Sequence, residues 1–281
     1  MSGKGRRSPM IASTETWTAP PATLEASTQR VDVWVASLDR AAYAGLPRLL
    51  SVLSRDERDR AERFQFAQHR CRFIAGRGLL RLILARYAAI PAKDLGFCYG
   101  PQGKPSLRAE MGVRDLMFNV AHSEGLALYA VARERRIGVD VEHMREVPDV
   151  ESIIRRHFSV GEQAAWRSLP VSEHGEAFLR AWTRKEAYLK ACGDGLTRPL
   201  YDVEVTFTPR QPVRLLSVEG NERKARSWSL RALAPAPGCV AALCVEGHGW
   251  AIACWQHESS YFLQRRPPHA DQVANERDHL V

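Results

Sequence analysis

The sequence predicts an α+β protein of two similar lobes, each a long helix packed on a small antiparallel sheet, and three observations carry that prediction. A helical stretch followed by a run of short strands occurs twice along the chain. Each helical stretch carries a capping box, SRDE at Ser54–Glu57 and SVGE at Ser159–Glu162, in which serine caps backbone N–H groups and glutamate reaches back to the serine. The strand runs are rich in β-branched residues and broken by Gly and Pro turns, the pattern of a meander. The halves share little residue identity, so the repeat is one of pattern.

Taken in order, residues 1–28 are rich in Ser, Thr, Pro and Ala without periodicity and read as a disordered leader. The N-terminal lobe spans 29–135. Its first strand is VDVWVASL (Val31–Leu38), which alternates apolar and polar residues. A helical region then runs from Ser54 to about Ala89, where Ile90-Pro91 stops it. It carries Arg55, Arg58, Arg60, Arg63, Arg70, Arg72, Arg77 and Arg81; most face solvent, but a guanidinium facing a pocket matches phosphate bidentately. LGFCYG, LMFNVAHSEG, LALYAVA and RRIGVDVEH follow as strands. The C-terminal lobe spans 136–264, with helices over Val150–His157, Ser159–Ser168 and Glu173–Cys192, the last ended by Gly193 in a left-handed conformation. VEVTF, PVRLLS, RSWSLRAL, CVAALCV and WAIACWQ then read as strands, and 265–281 as a disordered tail.

At 45% apolar residues over 281 positions the chain can build a substantial core. No apolar run approaches the roughly 20 residues that span a bilayer, and polar sequence stands where a signal peptide would have its apolar segment, so a cytoplasmic protein without a membrane partner is expected. The six cysteines show no CxxC pair and no histidine at zinc-ligand spacing, which points to reduced thiols. A formal charge of +8 favours an anionic partner. Nucleic acid is not the one expected, since no basic-aromatic interleaving or known binding motif is present.

Asp140 and Glu142 lie two apart in GVDVE (Gly138–Glu142), so on a strand both carboxylates share one face, with Val139 and Val141 turned to a core. Carboxylates held side by side repel unless a cation lies between them, and Mg²⁺ is bound in this way with phosphates and waters completing its octahedron. The plainer alternative is a pair of surface acids. In FLRAWTRKEAYLK (Phe178–Lys190), Trp182 and Glu186 share a helix face, and Lys185 and Lys190 flank the carboxylate. Glu186 is either a third ligand or an (i, i+4) partner of Lys190, and Trp182 reads as a core anchor. His122-Ser123 falls where one strand turns into the next, and Lys104 falls in a GKP turn; both positions reach a cleft if one is there. Neither GxxxxGK[ST] nor GxGxxG occurs, which sets aside a glycine-rich phosphate loop. A Mg²⁺-dependent phosphohydrolase could use the same three carboxylates.

In this order the blocks QGKP (Gln102–Pro105), FNVAHSEG (Phe118–Gly125), IGVDVE (Ile137–Glu142) and WTRKEAYLKACGDGL (Trp182–Leu196) resemble a 4′-phosphopantetheinyl transferase of the surfactin-synthetase-activating type. The resemblance spans roughly Val31 to Trp255. It implies a monomeric pseudo-dimer of two lobes whose cleft binds coenzyme A and Mg²⁺, with Mn²⁺ as an alternative metal. By the family's roles, Asp140, Glu142 and Glu186 hold the metal; Arg72, Lys104, His122 and Ser123 hold the 3′-phosphate and adenine end; Lys185 and Lys190 meet the phosphates or developing charge. Arg72 is carried over on the likeness of ERFQFAQHRCRFIAGRGLLR to the family's first long helix. Where the family often has lysines just before that helix, Arg60 stands near one position and the acid Glu57 near another. The implied reaction moves phosphopantetheine from coenzyme A to a serine of an acidic apo acyl or peptidyl carrier protein, releasing 3′,5′-ADP. Glu186 would take the serine proton, and Glu186 and Lys190 would carry the catalysis.

Overall fold

A computed structural model describes residues 15–257, apart from 194, 196, 197 and 210. The elements, joined by short turns and 3₁₀ segments, are β1 (Trp17–Thr18), β2 (Arg30–Ser37), α1 (Leu38–Ser51), α2 (Arg55–Glu62), α3 (Ala67–Ala88), β3 (Phe97–Tyr99), β4 (Pro105–Leu107), β5 (Leu116–Ser123), β6 (Leu126–Arg133), β7 (Ile137–His143), α4 (Val150–His157), α5 (Val160–Arg167), α6 (His174–Cys192), β8 (Val203–Val205), β9 (Leu215–Val218), α7 (Glu222–Ala225), β10 (Trp228–Leu233), β11 (Cys239–Glu246) and β12 (Ala251–Gln256). The result is a mixed α+β fold. One sheet has the order β1-β12-β2-β6-β5, a second β10-β11-β7, and β3-β4 and β8-β9 are separate hairpins. The antiparallel ladders β2-β6-β5 and β7-β11-β10 have the same connectivity, and in each a long helix and a hairpin lie in sequence between the first strand and the other two.

Both capping boxes form, and each glutamate does more than cap. Glu57 accepts from the Ser54 amide at 2.9 Å and from Arg81 Nε at 2.6 Å, and it also pairs with Arg77. Arg81 in turn donates to the carbonyls of Ala92 and Leu95, both at 2.9 Å, just before the first hairpin. Glu162 accepts from the Ser159 amide at 3.0 Å and from Lys185 Nζ at 2.7 Å. Lys185 donates onward to the carbonyl of Leu200 at 3.0 Å and to that of Val203, where the second hairpin begins. In both halves of the chain a buried cation thus ties a helix start to a hairpin, which satisfies carbonyls that burial would otherwise leave unpaired.

The structure corrects several expectations. The helical region from Ser54 to Ala89 is two helices, broken over residues 63–66, and a further helix, α1, precedes it. Ser37 caps α1, and Gly45 and Pro47 inside it, with Gly45 off helical geometry, are residues that read locally as a break. Residues 15–28 do not form a free leader. Trp17 sits at the sheet edge in β1, its indole donates to the carbonyl of Ala234 at 3.0 Å, and Leu24 is buried in the first lobe's core. Residues 1–14 and the expected tail 265–281 lie outside the described residues. The strand WAIACWQ, placed with the second lobe by sequence order, returns as β12 and pairs in parallel with β2. The chain therefore closes on its first sheet, and a cut at 136 does not separate the two sheets' strands.

One core lies between the first sheet and helices α1 and α3, another between the second sheet and α4–α6. A third joins the sheets: Val31, Val33 and Val35 with Leu128 and Ala130, and Ile137, Val139 and Val141 with Leu243 and Val245. Burying such side chains contributes about 1.5–3 kcal/mol each. This shared core fixes β7 against the first sheet. No disulfide links any of the six cysteines, and no helix among the described residues is long and apolar enough to cross a membrane.

Candidate active site

The site begins at a glycine. A Cβ on Gly138 would lie 2.1 Å from the Ala187 carbonyl oxygen and 2.3 Å from the Ala191 nitrogen, so α6 rests directly on β7 only because position 138 has no side chain. Gly138, Asp140 and Glu142 share one face of the strand by alternation. On the helix, Glu186 precedes Ala187 and Lys190 precedes Ala191, so the close contact brings both to the carboxylates. Val139 and Val141 point the other way, into the core between the sheets.

Asp140 is 6% exposed. Lys190 Nζ donates to its Oδ1 at 2.6 Å, while its Oδ2 is buried without a hydrogen-bond partner among the described residues. Burial pushes the Asp140 carboxyl up to about 6 against the pull of Lys190, and the charges of Glu186 and Glu142 push in the same direction as burial. Glu186 is also raised, by burial first, with Lys190 opposing and Glu142 adding. Ser123 Oγ donates to Glu142 at 3.2 Å and accepts from the His143 amide at 3.2 Å, and Arg145 approaches Glu142 at 3.5 Å. His122, at the open end of β5, lies below the ordinary imidazole range, first through loss of solvent and then through the Lys190 charge. Asn119 on β5 accepts from the Val139 amide at 2.9 Å, joining the two sheets directly behind the site.

Asp140, Glu142, Glu186, Lys190, His122 and Ser123 are therefore gathered, and three expected residues are engaged elsewhere. Lys185 is 0% exposed; its ammonium lies on Glu162 and two carbonyls in the second lobe's core, not at a phosphate site. The reason is the helical turn: its neighbour Glu186 takes the face toward β7, and Lys185 turns toward α5. Lys104 has all three ammonium donors on backbone carbonyls, and burial lowers its pKa to about 8. Arg72 stands beside the turn after Ser123, where a Cβ on Gly125 would meet its guanidinium at 3.1 Å, and it is held bidentately by Asp39 at 2.7 Å in both contacts. Trp182 packs on the second core against Phe178, as an anchor.

Sequence reasoning missed Gly138, Asn119 and Asp39. A glycine inside a β-branched strand signals close backbone approach, and that signal stood in GVDVE. Nothing local marks Asn119 or Asp39, whose partners are 20 and 33 residues away.

Among the described residues no three acidic, His or Cys side chains already converge at metal-holding distance. The donor set nonetheless fits a hard divalent cation: the charges of Glu186 and Glu142 raise the Asp140 carboxyl, Glu142 also raises Glu186, and one buried Asp140 oxygen has no partner.

The sequence profile of the 4′-phosphopantetheinyl transferase superfamily matches residues 136–254, and that of the 4′-phosphopantetheinyl transferase N-terminal region matches 40–134. The chain is 41% identical over 242 residues to the 4′-phosphopantetheinyl transferase HetI of Nostoc sp., covering 86% of this chain and 98% of that one. It is 37% identical over 171 residues to a putative 4′-phosphopantetheinyl transferase of Synechocystis sp., covering 61% and 68%. It is 28% identical over 153 residues to the 4′-phosphopantetheinyl transferase Sfp of Bacillus subtilis, covering 54% and 66%. The chain belongs to the 4′-phosphopantetheinyl transferase family and is an enzyme of that class.

Proposed function

We propose that this enzyme is of the surfactin-synthetase-activating type, a pseudo-dimer of two lobes that transfers phosphopantetheine from coenzyme A to a serine of an apo acyl or peptidyl carrier protein. The observation that carries the reading is the packing of α6 on β7, which brings Asp140, Glu142 and Glu186 within reach of one another's charge and leaves one buried Asp140 oxygen without a partner. These three carboxylates would hold Mg²⁺, with Mn²⁺ as an alternative. A metal held by these carboxylates would supply charge neutralisation for the coenzyme A pyrophosphate, whose negative charge is the main obstacle to attack.

The chain's own residues supply the rest. Ser123 and Arg145 orient Glu142. Lys190, released from Asp140, places its ammonium against the phosphates and the charge that develops on them. Glu186, its pKa raised by burial and by Glu142 against the pull of Lys190, takes the proton of the carrier serine. The serine oxygen then bonds to the β-phosphorus, the bond from that phosphorus to the bridging oxygen breaks, and 3′,5′-ADP leaves. His122 and Arg72 bind the 3′-phosphate and adenine end, Arg72 exchanging Asp39 for the phosphate. The net charge of +8 favours encounter with an acidic carrier at low salt.

The test is mass spectrometry of an apo carrier incubated with the enzyme, coenzyme A and Mg²⁺. A gain of one phosphopantetheine group is expected. Consumption of coenzyme A with no gain on any apo carrier in a panel would instead identify a phosphohydrolase.

A further inference from the structure

The β3–β4 loop places Lys104 under the end of α6. Its Nζ donates to the carbonyl of Ile137 at 3.1 Å, of Lys190 at 2.5 Å and of Ala191 at 3.0 Å. Ile137 opens β7, the strand of Asp140 and Glu142; Lys190 and Ala191 belong to the last turn of α6, the helix of Glu186. Carbonyls of a last helical turn have no partner within the helix and form its negative end, so an ammonium there is a cap in both hydrogen bonding and charge. An ammonium has three donors, and here each has an acceptor. The rest of the loop follows the same seat. A Cβ on Gly195 would meet the Gln102 side chain at 2.8 Å, and one on Gly193 would lie 3.7 Å from Lys104 Cδ.

We propose that Lys104 is a positioning residue: a first-lobe side chain that clasps the end of α6 to the start of β7 and so sets Glu186 and Lys190 against Asp140 and Glu142, without itself touching coenzyme A. The inference rests on the transferase reading above. It follows that loss of Lys104 slows transfer and leaves coenzyme A affinity in place. The hydrophobic stem and the ammonium make separate contributions, so a variant can remove one of them. Lys104→Met keeps the stem and removes all three donors; Lys104→Arg keeps a cation at the helix end.

The experiment uses the full chain. In Lys104→Met, kcat for carrier modification is expected to fall about tenfold to a hundredfold, the scale of a misplaced catalytic geometry. The Kd for coenzyme A by calorimetry should stay within about twofold, as for a residue outside the ligand contacts. Lys104→Arg should recover most of the rate. Hydrogen exchange should quicken in Lys104→Met at the last turn of α6 and the first residues of β7, and stay unchanged in α3. A coenzyme A affinity weakened about tenfold with kcat intact would overturn the proposal by making Lys104 a ligand contact. So would an unchanged kcat, or an Arg variant as slow as the Met variant. If the wild-type enzyme modifies no carrier, the transferase reading fails, and hydrogen exchange still decides the clasp: unchanged protection at α6 and β7 overturns it, and lost protection supports it.

Discussion

The first strand of each ladder carries a buried acid on its helix-facing side, and the two acids have opposite fates. In the first lobe Asp32 accepts from Arg30 at 2.8 Å and from the Trp255 indole at 3.0 Å, and Trp34, on the same face, donates to Tyr87 of α3 at 2.9 Å. The tryptophan fills the space between β2 and α3. In the second lobe Gly138 leaves no such space, α6 comes down on β7, and Asp140 meets Glu186, Glu142 and Lys190 with one oxygen unpartnered. A buried acid with its partners supplied is part of the structure; one left with other acids and a free oxygen is a place for a ligand.

The sharpest test of that contrast exchanges each acid for alanine. Asp140→Ala and Glu186→Ala should lower carrier modification by about a thousandfold or more, the scale of several kcal/mol of lost charge stabilisation, without lowering the melting temperature. Asp32→Ala should do the reverse, costing about 1–3 kcal/mol in a urea titration because Trp255 Nε1 loses its acceptor, and leaving turnover close to wild type. Full activity in Glu186→Ala would remove it from the site.

The paired cations come next in size. Glu162→Ala strands Lys185, and Glu57→Ala strands Arg81, each in a dry environment, so each should cost about 3–5 kcal/mol in chemical denaturation. A loss well under that range in one lobe alone would mean that its cation finds other acceptors. Gly138→Ala should cost about 1–3 kcal/mol by forcing α6 off β7, with activity falling further than stability predicts.

The smallest effect is on pH dependence. Burial raises the Glu57 pKa, but the hydrogen bond from Arg81 and the charge of Arg77 outweigh it, and the net shift is below the ordinary value of 4.5. A carboxyl lowered on folding contributes stability above its unfolded pKa and loses it as pH falls through the folded value. Wild-type melting temperature should therefore decline below about pH 4.5, and Glu57→Gln should flatten that decline. An unchanged acid slope would detach Glu57 from the acid response.

Much of this was readable in the chain. SRDE and SVGE cap helix starts at Ser54 and Ser159, α4 and α5 fall within a residue of the expected Val150–His157 and Ser159–Ser168, and Gly193 ends α6 at a φ of +82°. The alternation in IGVDVE correctly turned Asp140 and Glu142 to one side and the valines to the core. These features depend on neighbours within a turn or two, and local sequence carries them.

What the sequence alone determined is the α+β element pattern and the carboxylate-bearing strand and helix. Only the tertiary structure decided which cation serves which anion. Lys185, Lys190 and Lys104 look alike in sequence, yet one lies on Glu162, one on Asp140 and one on the carbonyls that end α6. It also decided that β12 returns to the first sheet and that Trp17 joins the core between the two sheets. The physical reason is range: propensity and periodicity act over a few residues, whereas a buried charge is settled by whichever distant partner burial brings within hydrogen-bonding reach.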